Sequence, residues 1–420
     1  MRTPGGRLSA VASLAVCTAL LLGGCGRNDE GDTSATKLGF TEYAGAVDYP
    51  AVTGPHDKGY AAPGEGLRQL VPMGDCVLGE GTFANGYRYV NVNWSGSDGC
   101  TKLSLTPKPA AAGEADLPYS MRSGWTGGGL PGDVVVPWDD GSLIGVGGSV
   151  TRREPSGEVS RLAALPLTFN NHPEQETADD ASVNAAVQVG SRLLIGGGQT
   201  VGHVESPYVF ASDDGGATVH RVPLPPVGGG QPSTPVGSLG VNADDVVGFG
   251  AAATNAFDFH PTGTIPFWHS PDGGAHWTSG RITGTPPGTR VRSVLYASGH
   301  WFAVGGHAKA GAFYNSLPLV LTSRDGTHWT RVDSAEMGTG EIIAATVDSA
   351  GRPVLVGSAV RPKSRPDAPT VECGAVWVGD GTTTGWKRGG LGCSEDPPTA
   401  VTTLADGRVL IAGNRDLWLG

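Results

Sequence analysis

Gly299-His300-Trp301-Phe302-Ala303-Val304-Gly305 sets four apolar residues between two glycines, soon after another apolar run, Val294-Leu295-Tyr296. Run, glycine-bearing turn and run again describe a β-hairpin. The same form recurs on both sides. Upstream lie Asp140-Gly141-Ser142-Leu143-Ile144-Gly145-Val146-Gly147, Gly190-Ser191-Arg192-Leu193-Leu194-Ile195-Gly196-Gly197 and Asp245-Val246-Val247-Gly248-Phe249-Gly250. Downstream lie Gly351-Arg352-Pro353-Val354-Leu355-Val356-Gly357 and Gly407-Arg408-Val409-Leu410-Ile411-Ala412-Gly413. The closing glycines at 147, 197, 250, 305, 357 and 413 are 50 to 56 residues apart, the period of a repeat architecture with one small sheet per unit. A weaker copy without the closing glycine, Asn85-Gly86-Tyr87-Arg88-Tyr89-Val90-Asn91-Val92, lies one further period upstream.

The apolar runs are short, continuous and rich in Val, Ile and Leu, as strands covered on both faces are. No sustained 3.6-residue stripe argues for a long helix. Several repeats carry a sharper motif in their second half. It reads Ser270-Pro271-Asp272-Gly273-Gly274-Ala275-His276-Trp277, and Ser212-Asp213-Asp214-Gly215-Gly216-Ala217-Thr218-Val219 with Val in the Trp place. A third copy, Ser323-Arg324-Asp325-Gly326-Thr327-His328-Trp329, is one residue shorter. Gly379-Asp380-Gly381 with Trp386, and Ser120 to Trp125, read as decayed copies.

These segments resemble the Asp-box, Ser-x-Asp-x-Gly-x-Thr-Trp, of sialidase-type and sortilin-type β-propellers. The resemblance implies an all-β fold with the boxes as structural turns on the rim. There the Ser and Asp side chains accept backbone N–H bonds, Gly takes a positive φ and Trp is an apolar wedge between sheets. Four-stranded antiparallel blades around an axis leave few exposed edges. Seven blades are preferred, counting the weak first copy; six is the alternative, with that copy as closing strands. The chain stops at Leu417-Trp418-Leu419-Gly420, soon after the last repeat's second strand, so an N-terminal strand is expected to complete the last blade. Leu67–Pro72 is the expected segment.

The chain has 420 residues, 39% hydrophobic and 16% charged, with 68 Gly and 31 Pro. That is a turn-rich composition of short strands, and the recurring apolar runs exclude a disordered chain. The net charge of −11 repels phosphate backbones, so nucleic acid is not an expected partner. Residues 1–24 carry Arg2 and Arg7, an apolar stretch Leu8–Leu22, then Gly23 and Gly24 before Cys25. A positive start, an apolar middle and small residues before a cut site make an export signal. The segment resembles a bacterial lipoprotein signal, which implies lipid on Cys25 and a membrane anchor on the extracytoplasmic face. Residues 25–65 read as a flexible tether with a reach of roughly 35 Å, and residues 66–420 as the propeller. Four cysteines remain for an oxidising compartment: Cys76, Cys100, Cys373 and Cys393. Three pairings are open to them; the local ones, Cys76–Cys100 and Cys373–Cys393, are preferred because each closes a loop within one repeat. Zinc is the weaker reading, since no Cys-x-x-Cys occurs.

The sialidase resemblance covers the repeats and the boxes alone. Sialidases use an arginine cluster, a Tyr–Glu pair and an acid Asp, but the Phe-Arg-Ile-Pro tetrapeptide of that family is absent and the last tyrosine is Tyr314. No catalytic residue is therefore assigned. Residues Asn171 to Asp180 gather carboxylates and His172 without the spacing of a Ca²⁺ loop, and no metal or cofactor is expected. His300 and His307 read as rim residues, and Gly127–Gly129 and Gly228–Gly230 as loops between blades. The expected function is a surface-anchored, monomeric lipoprotein whose non-catalytic propeller binds protein or glycan. The alternative is a sialidase-like glycoside hydrolase.

Overall fold

A computed structural model of the protein describes residues 33–48, 67–85, 88–106, 134–167, 180–201, 204–228, 234–250, 264–286, 288–308, 316–360, 372–393, 398–413 and 415–420. They form a seven-bladed β-propeller of four-stranded antiparallel blades, the sixth extended at its rim by a short parallel strand, Thr33–Ser34. From axis to rim, blade 1 consists of Leu67–Met73, Cys76–Asn85, Arg88–Ser97 and Lys102–Thr106. Blade 2 consists of Val134–Pro137, Leu143–Val146, Ser149–Arg153 and Val159–Ala164, and blade 3 of Asp180–Val189, Arg192–Val201, Val204–Ser212 and His220–Val222. Blade 4 has Val236–Asn242, Asp245–Gly250, Ile265–Ser270 and Thr278–Ile282; blade 5 has Arg290–Ala297, His300–Ala308, Ser316–Ser323 and Thr330–Arg331. Blade 6 has Glu341–Val347, Pro353–Val360, Glu372–Gly379 and Trp386–Gly390, and blade 7 has Ala400–Thr403, Val409–Ala412, Leu417–Leu419 and, from the start of the chain, Thr41–Tyr43. Each innermost strand neighbours that of the next blade, and the last neighbours the first, so the ring is closed. Helix among the described residues is limited to short 3-10 turns, and none is long and apolar enough to cross a membrane.

The core is divided among the seams between blades. Blades 4 and 5 bury Val247, Phe249, Trp301 and Leu321 against each other; blades 5 and 6 bury Phe302, Val304, Leu355 and Trp377. Both faces of every sheet are thus covered, which is why the strands read as unbroken apolar runs rather than alternating ones. Among the described residues the seam between blades 1 and 2 is the thinnest, with Val71, Leu78, Val135 and Leu143 buried and Met73 beside them.

The closing glycine of the repeat has a steric cause. In blades 1, 3, 4, 5 and 6 it pairs with the innermost strand where that strand carries a bulge: Leu67↔Gly81, Val183↔Gly197, Val236↔Gly250, Val291↔Gly305 and Ile342↔Gly357, each followed by a register shift. A Cβ on Gly197, Gly305 or Gly357 would stand 2.0 Å from the carbonyl oxygen of Ser182, Arg290 or Glu341. Blades 2 and 7 carry Gly147 and Gly413 at this place, and the pairs described there end one residue earlier, at Val134↔Val146 and Ala400↔Ala412, with no shift among them. In the other five blades the closing glycine lies opposite the bulge.

Three expectations are corrected. Leu67–Pro72 does not close the ring; it belongs to the innermost strand of blade 1, and Thr41–Tyr43 supplies the missing strand by pairing with Leu417–Leu419. The boundary at residue 65 shifts with it, since part of the expected tether, residues 33–48, is built into the ring. The expected first repeat copy lies one strand late: Arg88–Ser97 is a third strand, and the second strand follows Gly74-Asp75 and reaches its closing glycine at Gly81. Gly81 lies 66 residues before Gly147, too far for the 50-to-56 spacing to find. The remainder of the expected tether, Cys25 with it, lies outside the described residues. Cys76–Cys100 and Cys373–Cys393 are disulfide-bonded, the local pairing.

Candidate functional site

Antiparallel order places two kinds of polar groups on opposite faces of the disc. Innermost strands begin on one face, called upper here, and run to the lower face, where the first turn of each blade and the turn between its third and fourth strands lie.

The upper axial end is built by the bulges. A bulge re-aims one side chain out of the strand's alternation, and the residues so placed are Arg68, Asn184, Gly237, Arg292 and Ile343. Arg68 and Arg292 are exposed; Asn184 and Ile343 are half-buried. Around them, side chains tie blade to blade. Gln69 donates from Nε2 to the Val135 carbonyl at 2.6 Å and accepts the Val135 N–H at 3.1 Å. Asn184 Nδ2 donates to the Val236 carbonyl at 3.3 Å. Arg292 Nε donates to Glu341 Oε1 at 3.0 Å, the carboxylate being the more buried partner at 16% exposure against 44%. Thr399 Oγ1 donates to the Leu67 carbonyl, joining blade 7 to blade 1. The mouth therefore displays guanidinium groups over a frame of engaged polar atoms.

The lower face carries the three Ser-x-Asp turns. Ser270 and Ser212 are fully buried; each Oγ donates to the carboxylate two residues on, Asp272 or Asp214, and accepts the N–H of Gly274 or Gly216. Ser323 donates to Asp325 in the same way but accepts the Asp325 N–H instead of a glycine's, the consequence of the shorter turn. The Thr218 N–H first, then the Thr218 and Ser212 hydroxyls, lower Asp214 to about 2. The His276 N–H and imidazole hold Asp272 to about 2. Burial opposes ionisation at Asp325, yet bonds from His328 and Thr327 outweigh it and leave its carboxyl well below the usual range. Trp277 and Trp329 cover these turns, their Nε1–H groups donating to the Gly274 and Gly326 carbonyls at 3.0 Å.

Each turn leans on the preceding blade. Arg192 of blade 3 donates to the Gly273 carbonyl at 3.1 Å, and a Cβ on Gly274 would meet Leu194 Cδ1 at 2.6 Å. Gly216 stands over Val150 of blade 2, and Gly326 over Val247 and His269 of blade 4. In blade 6, Gly381 reaches Ser298 of blade 5, while Trp386 is buried at the start of the outer strand. These turns act as wedges between blades.

Of the other candidates, His300 and His307 fall at opposite ends of one strand and so on opposite faces. His300 accepts from Arg324 across the lower turn; burial lowers the His307 pKa. Residues 171–179 and Ser120 to Trp125 lie outside the described residues. Among the described residues no three His, Cys, Asp or Glu side chains gather to hold a metal ion. The alternation of strand residues gave no sign of Arg68, Asn184 and Arg292; the closing glycine opposite each bulge was the signal available.

No protein-family model matches the chain, and no curated protein matches it in sequence. Solved structures share its shape loosely. The N-terminal domain of Nup159 is 13% identical, with a TM-score of 0.40 over 85% of this chain and 89% of that one. A GH93 alpha-L-arabinofuranosidase of Fusarium graminearum is 13% identical, with a TM-score of 0.37 over 83% of this chain and 88% of that one. Streptogramin B lyase is 12% identical, with a TM-score of 0.36 over 68% of this chain and 91% of that one. Proteins this distant and this varied in activity assign neither substrate nor partner to the chain.

Proposed function

We propose that this chain is an exported lipoprotein, acylated on Cys25 at the outer face of a cell membrane, whose propeller is a non-catalytic binding scaffold for protein or glycan. The observation that carries the binding reading is the use of the axial polar groups. Gln69, Asn184, Glu341 and Thr399 are bonded to a neighbouring blade, which makes a rigid mouth rather than a set of groups free to move protons. A glycoside hydrolase needs two carboxyl groups flanking the bond it breaks, whereas the Glu341 carboxylate is held by Arg292. The three lower turns support the Asp-box resemblance, in which the box is structural. Export is supported by the leader and by two disulfides, which persist in oxidising compartments.

Two measurements test this. Cys25→Ser should move the protein from the membrane fraction to the soluble one; retention would overturn the anchor. The wild-type chain should bind immobilised glycans or cell-surface protein without releasing product from a fluorogenic sialoside. Turnover abolished by Glu341→Gln would replace the scaffold reading with the hydrolase.

A further inference from the structure

We propose that the anchor holds the propeller edge-on, with the seam of blades 6 and 7 turned towards the lipid; this rests on the acylation of Cys25 proposed above. From Thr33 onward the chain is fastened to that seam. Thr33 and Ser34 pair in parallel with Gly389 and Gly390 on the outer strand of blade 6. Ala35 and Phe40 are buried, each 4% exposed, in the core shared by blades 6 and 7. A Cβ on Gly389 would meet Leu38 Cδ1 at 2.9 Å and the Ala35 Cα at 3.0 Å, so the segment lies flush against the sheet. It then enters blade 7 as Thr41–Tyr43 and pairs with Leu417–Leu419. Clamped to two blades at once, it is a strap.

Cys25 stands eight residues before Thr33. At about 3.6 Å per residue a peptide of that length spans at most about 29 Å, whatever its conformation. A tether running to residue 65 would have let the disc adopt any attitude to the bilayer. With the strap, the blade 6–7 rim stays within that bound, and it presents the exposed Thr36, Lys37 and Lys387. The rim of blade 3 lies across the ring, further by two four-stranded sheets and the axial opening, roughly 40 Å on strand spacings alone. Held this way, the upper mouth and the lower turns both face sideways, open to partners at the same time.

The test uses the full acylated chain in vesicles of phosphatidylcholine and phosphatidylglycerol that carry an acceptor dye on a headgroup. A fluorescent noncanonical residue replaces Lys37 or, separately, the exposed His220 on the blade 3 rim. Energy transfer is expected to be several-fold greater from position 37 than from 220. A spacer of ~30 Gly and Ser residues inserted after Gly26 relaxes the bound and should level the two. Equal transfer from both positions without the spacer overturns the edge-on attitude, and so does a preference that survives the spacer. Mass spectrometry of Cys25 is read first: an unacylated cysteine removes the anchor and this proposal with it, while an acylated protein with level transfer removes the proposal alone.

Discussion

Gly305→Ala puts a methyl group where the innermost strand of blade 5 bulges. Its Cβ would lie 2.0 Å from the Arg290 carbonyl oxygen and 3.0 Å from the Arg290 carbonyl carbon. A relaxed carbon–oxygen contact is about 3.3–3.6 Å, so backbone must retreat by more than about 1 Å or the bulge must unwind. Overpacking a filled core costs about 1–3 kcal/mol, and here backbone rather than a side-chain tip has to move. Unwinding would also withdraw Arg292 from Glu341, a partly exposed pair worth about 0.2–1 kcal/mol. The expected total is about 3–4 kcal/mol. The control is Ala412→Gly in the second strand of blade 7, one residue before that repeat's closing glycine, where Ala400 pairs with Ala412 without a bulge; it should cost only the glycine entropy, about 0.5–1 kcal/mol. Urea titration followed by tryptophan fluorescence reads both, compared at unchanged m. If Gly305→Ala falls within about 0.5 kcal/mol of the control, the link between closing glycine and axial bulge is wrong.

Gly274→Ala and Gly190→Ala share the cost of a positive φ, about 1–2 kcal/mol, but only the first drives its Cβ into Leu194; Gly190 has open space. Their difference in unfolding free energy, expected at about 1–3 kcal/mol, measures the wedge between blades 3 and 4, and equal values would remove it. Asp214 and Asp272 are held to about 2 in the fold, below the unfolded value of about 3.9. Their contribution is therefore present above about pH 4 and lost as pH falls through about 2, so melting temperature should drop across that window in the wild type and less in the Asp214→Asn, Asp272→Asn double variant. Cys373→Ser with Cys393→Ser opens a loop with a separation of 20 residues, and calorimetry should show a loss of about 3 kcal/mol. Hydrogen exchange should be fastest, among the innermost strands, where blades 1 and 2 meet at Val71 and Val135; faster exchange at the Trp301–Trp377 side of the ring would contradict the packing.

The repeat period was legible because steric demands recur with it. Each second strand needs apolar residues on both faces, and most need a glycine opposite the bulge, so Gly147 to Gly413 kept step. Blade 1 fell out of step because the stretch between Thr106 and Val134 lengthens its period, and Tyr89-Val90 then imitated a second strand. The closing strand was illegible for a different reason. Thr41-Glu42-Tyr43 is three residues with no apolar run; only the unpaired edge of Leu417–Leu419 selects it, and that edge exists only once the other blades are in place.

The axial mouth was hidden by the same bulges that make it. Strand alternation assigns faces two residues at a time, and one inserted residue reverses every assignment after it. Read by alternation, Arg68 and Arg292 belong to separate, unremarkable strands in a chain with 29 basic residues. Read through Gly81 and Gly305, they occupy one structural position, the bulge at the upper end of an innermost strand, in blades 1 and 5. Asn184 occupies it in blade 3, while Gly237 and Ile343 leave it without a donor in blades 4 and 6. Among the described residues, the pairs of blades 2 and 7, which end at Val146 and Ala412, show no bulge. Donors are thus present on some blades and absent from others, so the mouth is asymmetric although the ring repeats. Blades 1 and 5 place a guanidinium group there and blade 3 an amide, each at a bulge, so a sevenfold ring ends in an upper rim without sevenfold chemistry.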